Sequence, residues 1–184
     1  MTVLTCAITG KSITLVGEPI DSGEVKVWRT NLNGYLAKIY HSPTSECVQK
    51  LAVKISHPPT DPSSHLNHIS FAWPTSVLKD INGNCVGLLM PEVRNSRQVI
   101  DIYDPQHCNK FKLGINWRFL HVRALNIASF IAALHDSGYV LGDIKPQNIL
   151  VNNRDLPSII YTDHFQVKNP QNRKLRRFLV GSEG

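Results

Sequence analysis

Apolar and polar residues alternate along the first forty residues in a way that is typical of β-strands. Alternating and β-branched segments cover residues 12–20, 24–30 and 35–40, and turn residues separate them. Asn33-Gly34 lies between two of these segments, and this dipeptide favours a tight hairpin. The pattern therefore predicts three antiparallel strands.

A helix and two further strands are predicted downstream. Residues 42–45 offer a helix start, and His57-Pro58-Pro59 ends the helix. Its apolar residues repeat at spacings of three and four: Val48, Leu51, Ala52 and Ile55. Residues 69–78 and 85–93 are strand-like, with a turn at Asn82-Gly83-Asn84. The first part of the chain is thus expected to hold five strands and one helix.

The clearest helical pattern runs from Asn116, a candidate N-cap, to Gly138, a candidate C-terminal cap. Its apolar stripe consists of Leu120, Ala124, Ile127, Ala128, Ile131 and Leu134. We place the boundary between two structural parts in the polar stretch that follows Val93. The prediction is one domain over residues 1–93 and another over residues 94–184.

The composition is that of a globular protein, with 42% hydrophobic and 18% charged residues among 184. The four cysteines, Cys6, Cys47, Cys85 and Cys108, form no CxxC pair, so neither a zinc site nor a disulfide framework is indicated. No basic leader or long apolar run is present. We therefore expect no targeting segment, no membrane span and a cytoplasmic location.

The formal net charge is +6, but part of it is local. Basic residues crowd the C-terminal end of the chain: Lys168, Arg173, Lys174, Arg176 and Arg177. A solvated basic loop is the favoured interpretation, and contact with nucleic acid or an acidic partner is the weaker alternative. Charge alone selects no partner.

The segment Leu141–Asn148 combines an acid, an amine and an amide at a spacing that phosphoryl transfer to a hydroxyl uses. Asp143 can accept a hydroxyl proton, Lys145 can neutralise a transferring phosphoryl group, and Asn148 can hold Mg²⁺. An apolar helical run precedes the segment and the apolar run 149–151 follows it. Asp143 taken alone could be a turn carboxylate, but the three residues together favour a catalytic loop.

Residues 134–151, LHDSGYVLGDIKPQNILV, resemble the catalytic segment of Ser/Thr protein kinases, and the flanking residues look closest to a bacterial kinase-like branch. The resemblance covers the chain from about Gly17 to its end. It implies an α+β protein-kinase-like fold: a five-stranded antiparallel N-lobe with one helix, and a partial, mainly helical C-lobe. ATP and Mg²⁺ are the implied cofactors.

In this family a glycine-rich loop covers the nucleotide phosphates, and residues 17–28 occupy its place. The resemblance implies nucleotide contacts at Ile20, Gly23 and Val27. Only Gly23 clearly fits the glycine pattern, and Asp21 stands at an expected glycine position, where it would repel phosphate. We therefore expect this loop to bind the nucleotide phosphates more weakly than a full glycine-rich loop does. Without the resemblance, the segment would be an ordinary hairpin.

Lys38 is the basic residue at the centre of the third apolar strand. The resemblance implies that it contacts the α- and β-phosphates and pairs with a helix glutamate, whereas a lysine in a strand otherwise extends to solvent. The acid available in the following helix is Glu46, which points away from the apolar face. Either Glu46 only interacts with the helix dipole and the ion pair is absent, or the helix begins elsewhere.

Two further sites follow from the resemblance. Met90 and Glu92 occupy the place of the hinge that meets adenine, although a strand that ends at Pro91 explains the same residues. Asp163 stands where the second Mg²⁺ ligand belongs, and Phe165 replaces the glycine of the usual Asp-Phe-Gly triplet. Leu141-Gly142 replaces the usual His-Arg, so a switch by activation-loop phosphorylation is not expected.

The resemblance also implies C-lobe helices that would follow residue 184. We therefore expect the apolar stripe of helix 116–138 to be incompletely covered, with a protein substrate or a partner chain completing the C-lobe. Lys145 favours a protein Ser/Thr substrate over a small molecule. The alternative hypothesis is a truncated pseudokinase that acts as an interaction module. A basic nucleic-acid binder acting through residues 173–177 is the weaker third possibility.

Overall fold

The computed structural model describes residues 3–21, 23, 25–110, 116–142, 144–162 and 165–167. The chain divides into two compact units. The first contains Met1–Pro58 and Ala72–Arg94, and the second contains Pro59–Phe71 and Asn95–Gly184. A single boundary after Val93 would leave the segment 59–71 in the first part, whereas its contacts place it in the second unit.

The first unit is a closed antiparallel barrel, in which six strands are described with the neighbour order β1-β2-β3-β4-β6-β5. The strands are β1 Val3–Cys6, β2 Ser12–Asp21, β3 Val25–Thr30, β4 Tyr35–Tyr40, β5 Ser76–Lys79 and β6 Cys85–Pro91. The buried core of the barrel consists of Leu4, Cys6, Ile13, Ala37, Leu78 and Leu89. The predicted five-stranded sheet is therefore corrected to a six-stranded barrel.

Among the described barrel strands, β1 is the one that the sequence pattern did not predict. It has four residues, of which Leu4 and Cys6 are buried and the other two are exposed. It pairs with β2 and also with β5, through Cys6 and Leu78. Since β5 lies far along the chain, the barrel closure that buries Leu4 is a tertiary effect, and so short an alternation carries little strand signal by itself.

Strand β5 is shorter than predicted, because residues 69–75 are not part of it. Pro74 has no backbone N–H to donate to a strand ladder, so it interrupts the predicted strand. Trp73, which precedes it, is buried and donates its indole N–H to the carbonyl of Lys54 at 2.9 Å. This stretch is apolar because it packs inside the protein, which explains why it resembled a strand.

Helix α1 covers Ser45–Ser56, and its predicted ends are confirmed. The side chain of Thr44 accepts the N–H of Cys47 at 3.2 Å as the N-cap, and the helix ends at His57. The buried face differs from the prediction, because Ala52 is exposed whereas Lys54 is fully buried beside Leu51. Lys54 lies three residues after Leu51 and therefore on the same helix face, but its polar end excludes it from a pattern of apolar residues.

The second unit combines helices with two small sheets. Its helices are α2 Ile100–Tyr103, α3 Pro105–Lys110 and α4 Trp117–Asp136. Its strands are β7 Ser96–Gln98, β8 Tyr139–Val140, β9 Ile149–Asn152, β10 Pro157–Ile159 and β11 Gln166–Val167. Strands β10, β9 and β7 form one antiparallel sheet, and β11 pairs with β8 in the other. The predicted mainly helical part therefore also carries sheet around the candidate catalytic loop.

Helix α4 agrees with the prediction at both ends. Asn116 caps it by accepting the N–H of Phe119 at 2.9 Å, and Gly138 follows its end with φ +82°. Of the predicted stripe, Leu134 is fully buried, whereas Ala124 and Ala128 are exposed. Within the described ranges, no helix has the length and apolar character needed to cross a membrane.

The segment 59–71 is fastened to the second unit by side-chain and backbone contacts. Phe71 packs edge-to-face on Phe130 of α4, with ring centres 6.2 Å apart. The carbonyl of Ser70 accepts the N–H of Ile159 at 2.8 Å, and the imidazole Nε2 of His68 lies 2.8 Å from the Pro157 carbonyl. This long connection thus covers the β9–β10 hairpin.

Gly87 is required where β6 passes β4. A Cβ at this position would overlap the backbone carbonyl oxygen of Lys38. We expect Gly87→Ala to lower the free energy of unfolding by about 1–3 kcal/mol, because backbone must move to admit the methyl group. Urea unfolding measures this change.

The matched control is Gly10→Asn. Gly10 has φ +69°, which asparagine tolerates, and a Cβ there meets open space. A loss for Gly87→Ala no larger than that of the control would contradict the assignment.

Candidate functional site

Three of the predicted nucleotide-binding residues form a row across the barrel strands. Ile20 on β2 pairs with Val27 on β3, Val27 pairs with Lys38 on β4, and Lys38 pairs with Leu88 on β6. Cross-strand partners point to the same face of a sheet. Ala37 lies in the barrel core, so this row occupies the opposite face.

Lys38 is fully buried in this row, between Val27 and Leu88, which are also buried. A lysine that extends to solvent would be exposed, so the structure does not fit that alternative. Burial lowers the effective dielectric constant around this side chain, which strengthens its interaction with an anionic group. Ile20, at the end of the row, is 70% exposed and available to a ligand.

Glu46, the acidic partner predicted for Lys38, is exposed, whereas Lys38 is buried. Glu46 lies in the first turn of α1 and its side chain is exposed, in agreement with a role at the helix dipole. The buried charged residue of this helix is Lys54, which sequence reasoning missed. Its Nζ lies 5.8 Å from the ring centre of Trp73. Its position three residues after Leu51 was the available signal.

The loop between β2 and β3 carries Gly23 in the left-handed region, with φ +81°. Its N–H donates to the Asp21 carboxylate at 2.9 Å, and Lys26 Nζ lies 3.6 Å from the same side chain. The hydrogen bond from Gly23 lowers the pKa of Asp21. The Gly23 amide, which such a loop could donate to a phosphate, is thus already bonded to the Asp21 carboxylate. This agrees with the expectation that the loop binds phosphate more weakly than a full glycine-rich loop.

Met90 and Glu92 lie at the end of β6. Met90 is half-buried and pairs with Leu36. The N–H of Glu92 donates to the Gly34 carbonyl at 2.8 Å, and its carboxylate lies 2.6 Å from Arg94 Nε. The amide and the carboxylate of Glu92 therefore have partners within the first unit, and adenine contact at these two residues stays a prediction.

In the second unit, the candidate catalytic loop follows β8 and leads into β9. Lys145 is exposed and directly precedes the 3₁₀ turn Pro146–Asn148. The N–H of Asn148 donates to the Lys145 carbonyl at 2.9 Å, so the turn brings these two predicted residues together. Asp143, the predicted proton acceptor, lies outside the described residues.

The β9–β10 hairpin brings Asn148 close to the segment that leads to Asp163. Ile149 pairs with Ile159, and the Asn148 carbonyl accepts the N–H of Ile160 at 2.9 Å. Asp163 itself lies outside the described residues. The side-chain oxygen of Asn148 is a hard donor of the kind Mg²⁺ prefers, so its chemistry fits the predicted metal.

The residues around the Asp163 position are well packed. Thr162 and Phe165 are buried, and the N–H of Phe165 donates to the Thr162 carbonyl at 3.2 Å. Tyr161 has φ +59°, which is uncommon for a residue other than glycine. Such conformations cluster at functional sites and need support from the surrounding structure. Among the described residues, no group of three or more His, Cys, Asp or Glu side chains could hold a metal.

Comparison with curated proteins finds protein kinase YegI from Escherichia coli O157:H7 and from strain K12. Each is 33% identical over 162 residues, which are 86% of this chain and 24% of the relative. The chain therefore spans about a quarter of the length of these relatives. No family model matches the chain.

Solved structures with the same fold include "ROP18 kinase domain in complex with AMP-PNP and sucrose", with a TM-score of 0.62 and 16% identity. It is matched over 91% of this chain and 56% of its own. ROP2 from Toxoplasma gondii, titled a virulence factor with a protein kinase fold and no enzymatic activity, has a TM-score of 0.57 and 13% identity. That match covers 91% of this chain and 55% of ROP2. At these identities the likeness concerns the fold.

Tyr139 provides a spectroscopic test of the β8–β11 pairing. It pairs with Val167, and burial raises its pKa to about 12. Because the pKa in the folded state lies above the unfolded value, the stabilising contribution is complete below about pH 10 and is lost as the pH rises toward 12.

We expect ultraviolet absorbance to reveal a tyrosine component, from Tyr139, that ionises near pH 12 while the protein stays folded. Tyr139→Phe should remove this component and flatten the loss of stability above pH 10. An unchanged titration curve in the variant would contradict the buried position.

Proposed function

Because the chain belongs to a protein-kinase-like family with bacterial members, we propose that it moves the γ-phosphate of Mg·ATP to a Ser or Thr hydroxyl of a protein. The observation that carries the proposal is the turn that joins Lys145 to Asn148 directly after Asp143 in the sequence. This turn supplies the amine and the amide of the predicted catalytic loop. Lys145 favours a protein substrate over a small molecule.

In this mechanism, the acceptor hydroxyl oxygen attacks the γ-phosphorus and the bond to the β,γ-bridging oxygen breaks, so that ADP leaves. Asp143 takes the hydroxyl proton, and Lys145 neutralises charge on the transferring group. Asn148 and Asp163 hold Mg²⁺, which supplies further charge neutralisation on the phosphates when bound. Catalysis then depends on alignment and electrostatic stabilisation.

Nucleotide binding is assigned to the first unit. Lys38 contacts the α- and β-phosphates, and the apolar side chains of Ile20 and Val27 supply the surface for the base, with Met90 and Glu92 at the hinge. The buried position of Lys38 supports this role. Gly23 covers the phosphates more weakly than in a full glycine loop, because its amide is bonded to Asp21.

A cytoplasmic location accompanies the proposal, because Mg·ATP is available there. Free thiols agree with a reducing compartment, and the four cysteines of this chain are free.

A second candidate function is a pseudokinase that works as an interaction module. The hydrogen bond that the Gly23 amide donates to Asp21 favours it, because this amide is then less available to a phosphate. Weak or absent nucleotide binding separates this candidate from the enzyme.

Mg·ATP at 100 times its Kd should stabilise the wild-type chain by about 2.7 kcal/mol, which raises its melting temperature by several degrees. Lys38→Met should abolish most of this increase. Lys26→Met is the matched control, because Lys26 lies on the neighbouring strand and is partly exposed. Asp143→Ala should retain the increase but lose phosphate transfer. The absence of an increase in the wild type would favour the interaction module.

We also propose that a protein partner completes the second unit over the outer face of α4. Trp117 is 76% exposed on this helix and Leu125 is 67% exposed. Val122 is exposed to a lesser degree. An apolar face of this kind marks an interaction surface, and an apolar helical partner fits it. Nucleic acid and membrane have no part in the proposal.

Leu125→Lys should reduce self-association of the isolated chain, measured by light scattering, and leave its melting temperature nearly unchanged. The reason is that Leu125 lies on the exposed face. Leu134→Lys is the contrast, because Leu134 is fully buried on the same helix and a charge there should unfold the unit. If Leu125→Lys and Leu134→Lys lower the melting temperature equally, the outer face of α4 is already covered in the isolated chain, which would contradict the proposal.

A further inference from the structure

The inward side of α4 holds a charged side chain that the proposed chemistry does not use. Arg123 is half-buried, with 11% of its side chain exposed, and its Nη2 lies 2.8 Å from Oδ1 of Asp155. Its guanidinium also lies over the ring of Phe119, with Cζ 3.0 Å from the ring centre. One turn further along, Asn126 Nδ2 donates to the backbone carbonyl of Asp155 at 2.8 Å. Helix α4 therefore holds Asp155 at two points.

Asp155 lies in the turn between β9 and β10, with φ +60°. Its N–H donates to the Asn152 carbonyl at 3.2 Å, and the Asn152 side chain accepts the N–H of Leu156 at 3.1 Å. Aspartate tolerates the left-handed conformation better than most residues do. Hydrogen bonds within the turn thus define its conformation, and the two contacts from α4 hold it in place.

The ion pair is poorly suited to add stability. Among the described residues, Nε and Nη1 of Arg123 are buried without a hydrogen-bond partner. Oδ1 of Asp155 also has none, despite its 2.8 Å distance to Nη2, so the contact is an ion pair without a directed hydrogen bond. Burial lowers the pKa of Arg123, and the charge of Asp155 opposes this effect. Replacing such pairs by apolar groups is often neutral or stabilising.

The hairpin connects this turn to the candidate catalytic loop. Val151 pairs with Pro157 and Ile149 pairs with Ile159, and beyond them the N–H of Ile160 donates to the Asn148 carbonyl. The turn with Asp155 and the residue Asn148 thus lie at opposite ends of one paired hairpin.

We propose that Arg123 and Asn126 form a positioning clamp on Asp155, which sets the β9–β10 hairpin and thereby the orientation of the Asn148 amide. Arg123 is a positioning residue in this assignment, and its contribution is to geometry rather than to stability. The expected effect of the clamp on Mg²⁺ binding rests on the proposed function. Its expected effect on the position of the β9–β10 hairpin does not.

The test uses the full chain with the double substitution Arg123→Met and Asp155→Asn. Both replacements are uncharged, and asparagine accepts φ +60° and keeps its carbonyl for Asn126. We expect the melting temperature to stay within a few degrees of the wild type or to rise. Hydrogen exchange of the Ile160 amide should accelerate about tenfold, and the Mg²⁺ concentration for half-maximal stabilisation by ATP should increase about fivefold.

Arg118→Met is the matched control, because Arg118 is exposed on the same helix, and it should change none of these quantities. Arg123→Lys keeps the charge and should restore part of the protection of Ile160. A large fall in melting temperature of the double variant, or unchanged exchange at Ile160, would overturn the proposal. If the wild type shows no response to Mg·ATP, the proposed function fails and the exchange comparison alone decides the clamp.

Discussion

Strand β4 is hydrogen-bonded to β3 on one side and to β6 on the other, and its register decides which side chains share the face of Lys38. Val27 and Leu88 are its direct neighbours in that register. A slip of one residue would turn Lys38 into the barrel core and Ala37 outward. Gly87 allows the close approach of β6 on which this register depends. The nucleotide-binding role proposed for the first unit thus depends on one strand alignment.

The second unit depends on a comparable constraint, the pairing of β9 with β10. The hairpin joins the 3₁₀ turn of Asn148 to the segment that leads to Asp163, although fourteen residues separate Asn148 from Thr162 in sequence. Helix α4 and segment 59–71 hold the hairpin from different sides, through Asp155 and Ile159. The candidate catalytic loop, which lies between short strands, therefore receives its geometry from longer elements around it.

Sequence reasoning succeeded where a local interaction dominates. Helix α1 begins within the predicted stretch 42–45, where Thr44 is the cap, and Asn116 caps α4 as predicted, because a side chain that accepts an N–H three residues ahead needs no tertiary partner. It failed for β1 and for the length of β5. Their apolar residues are explained by barrel closure and by burial of Trp73, and neither is encoded in periodicity over a few residues.

For the candidate site, the residue types and spacing of the candidate catalytic loop and the position of Lys38 in a central strand could be predicted from the sequence, because both are properties of short segments. The folded structure was needed to show that Ile20, Val27 and Lys38 form one row, that Lys54 is buried, and that side chains of α4 contact Asp155. These features join residues far apart in the chain. Their positions follow from strand register and helix packing, which are settled by the burial of the whole fold.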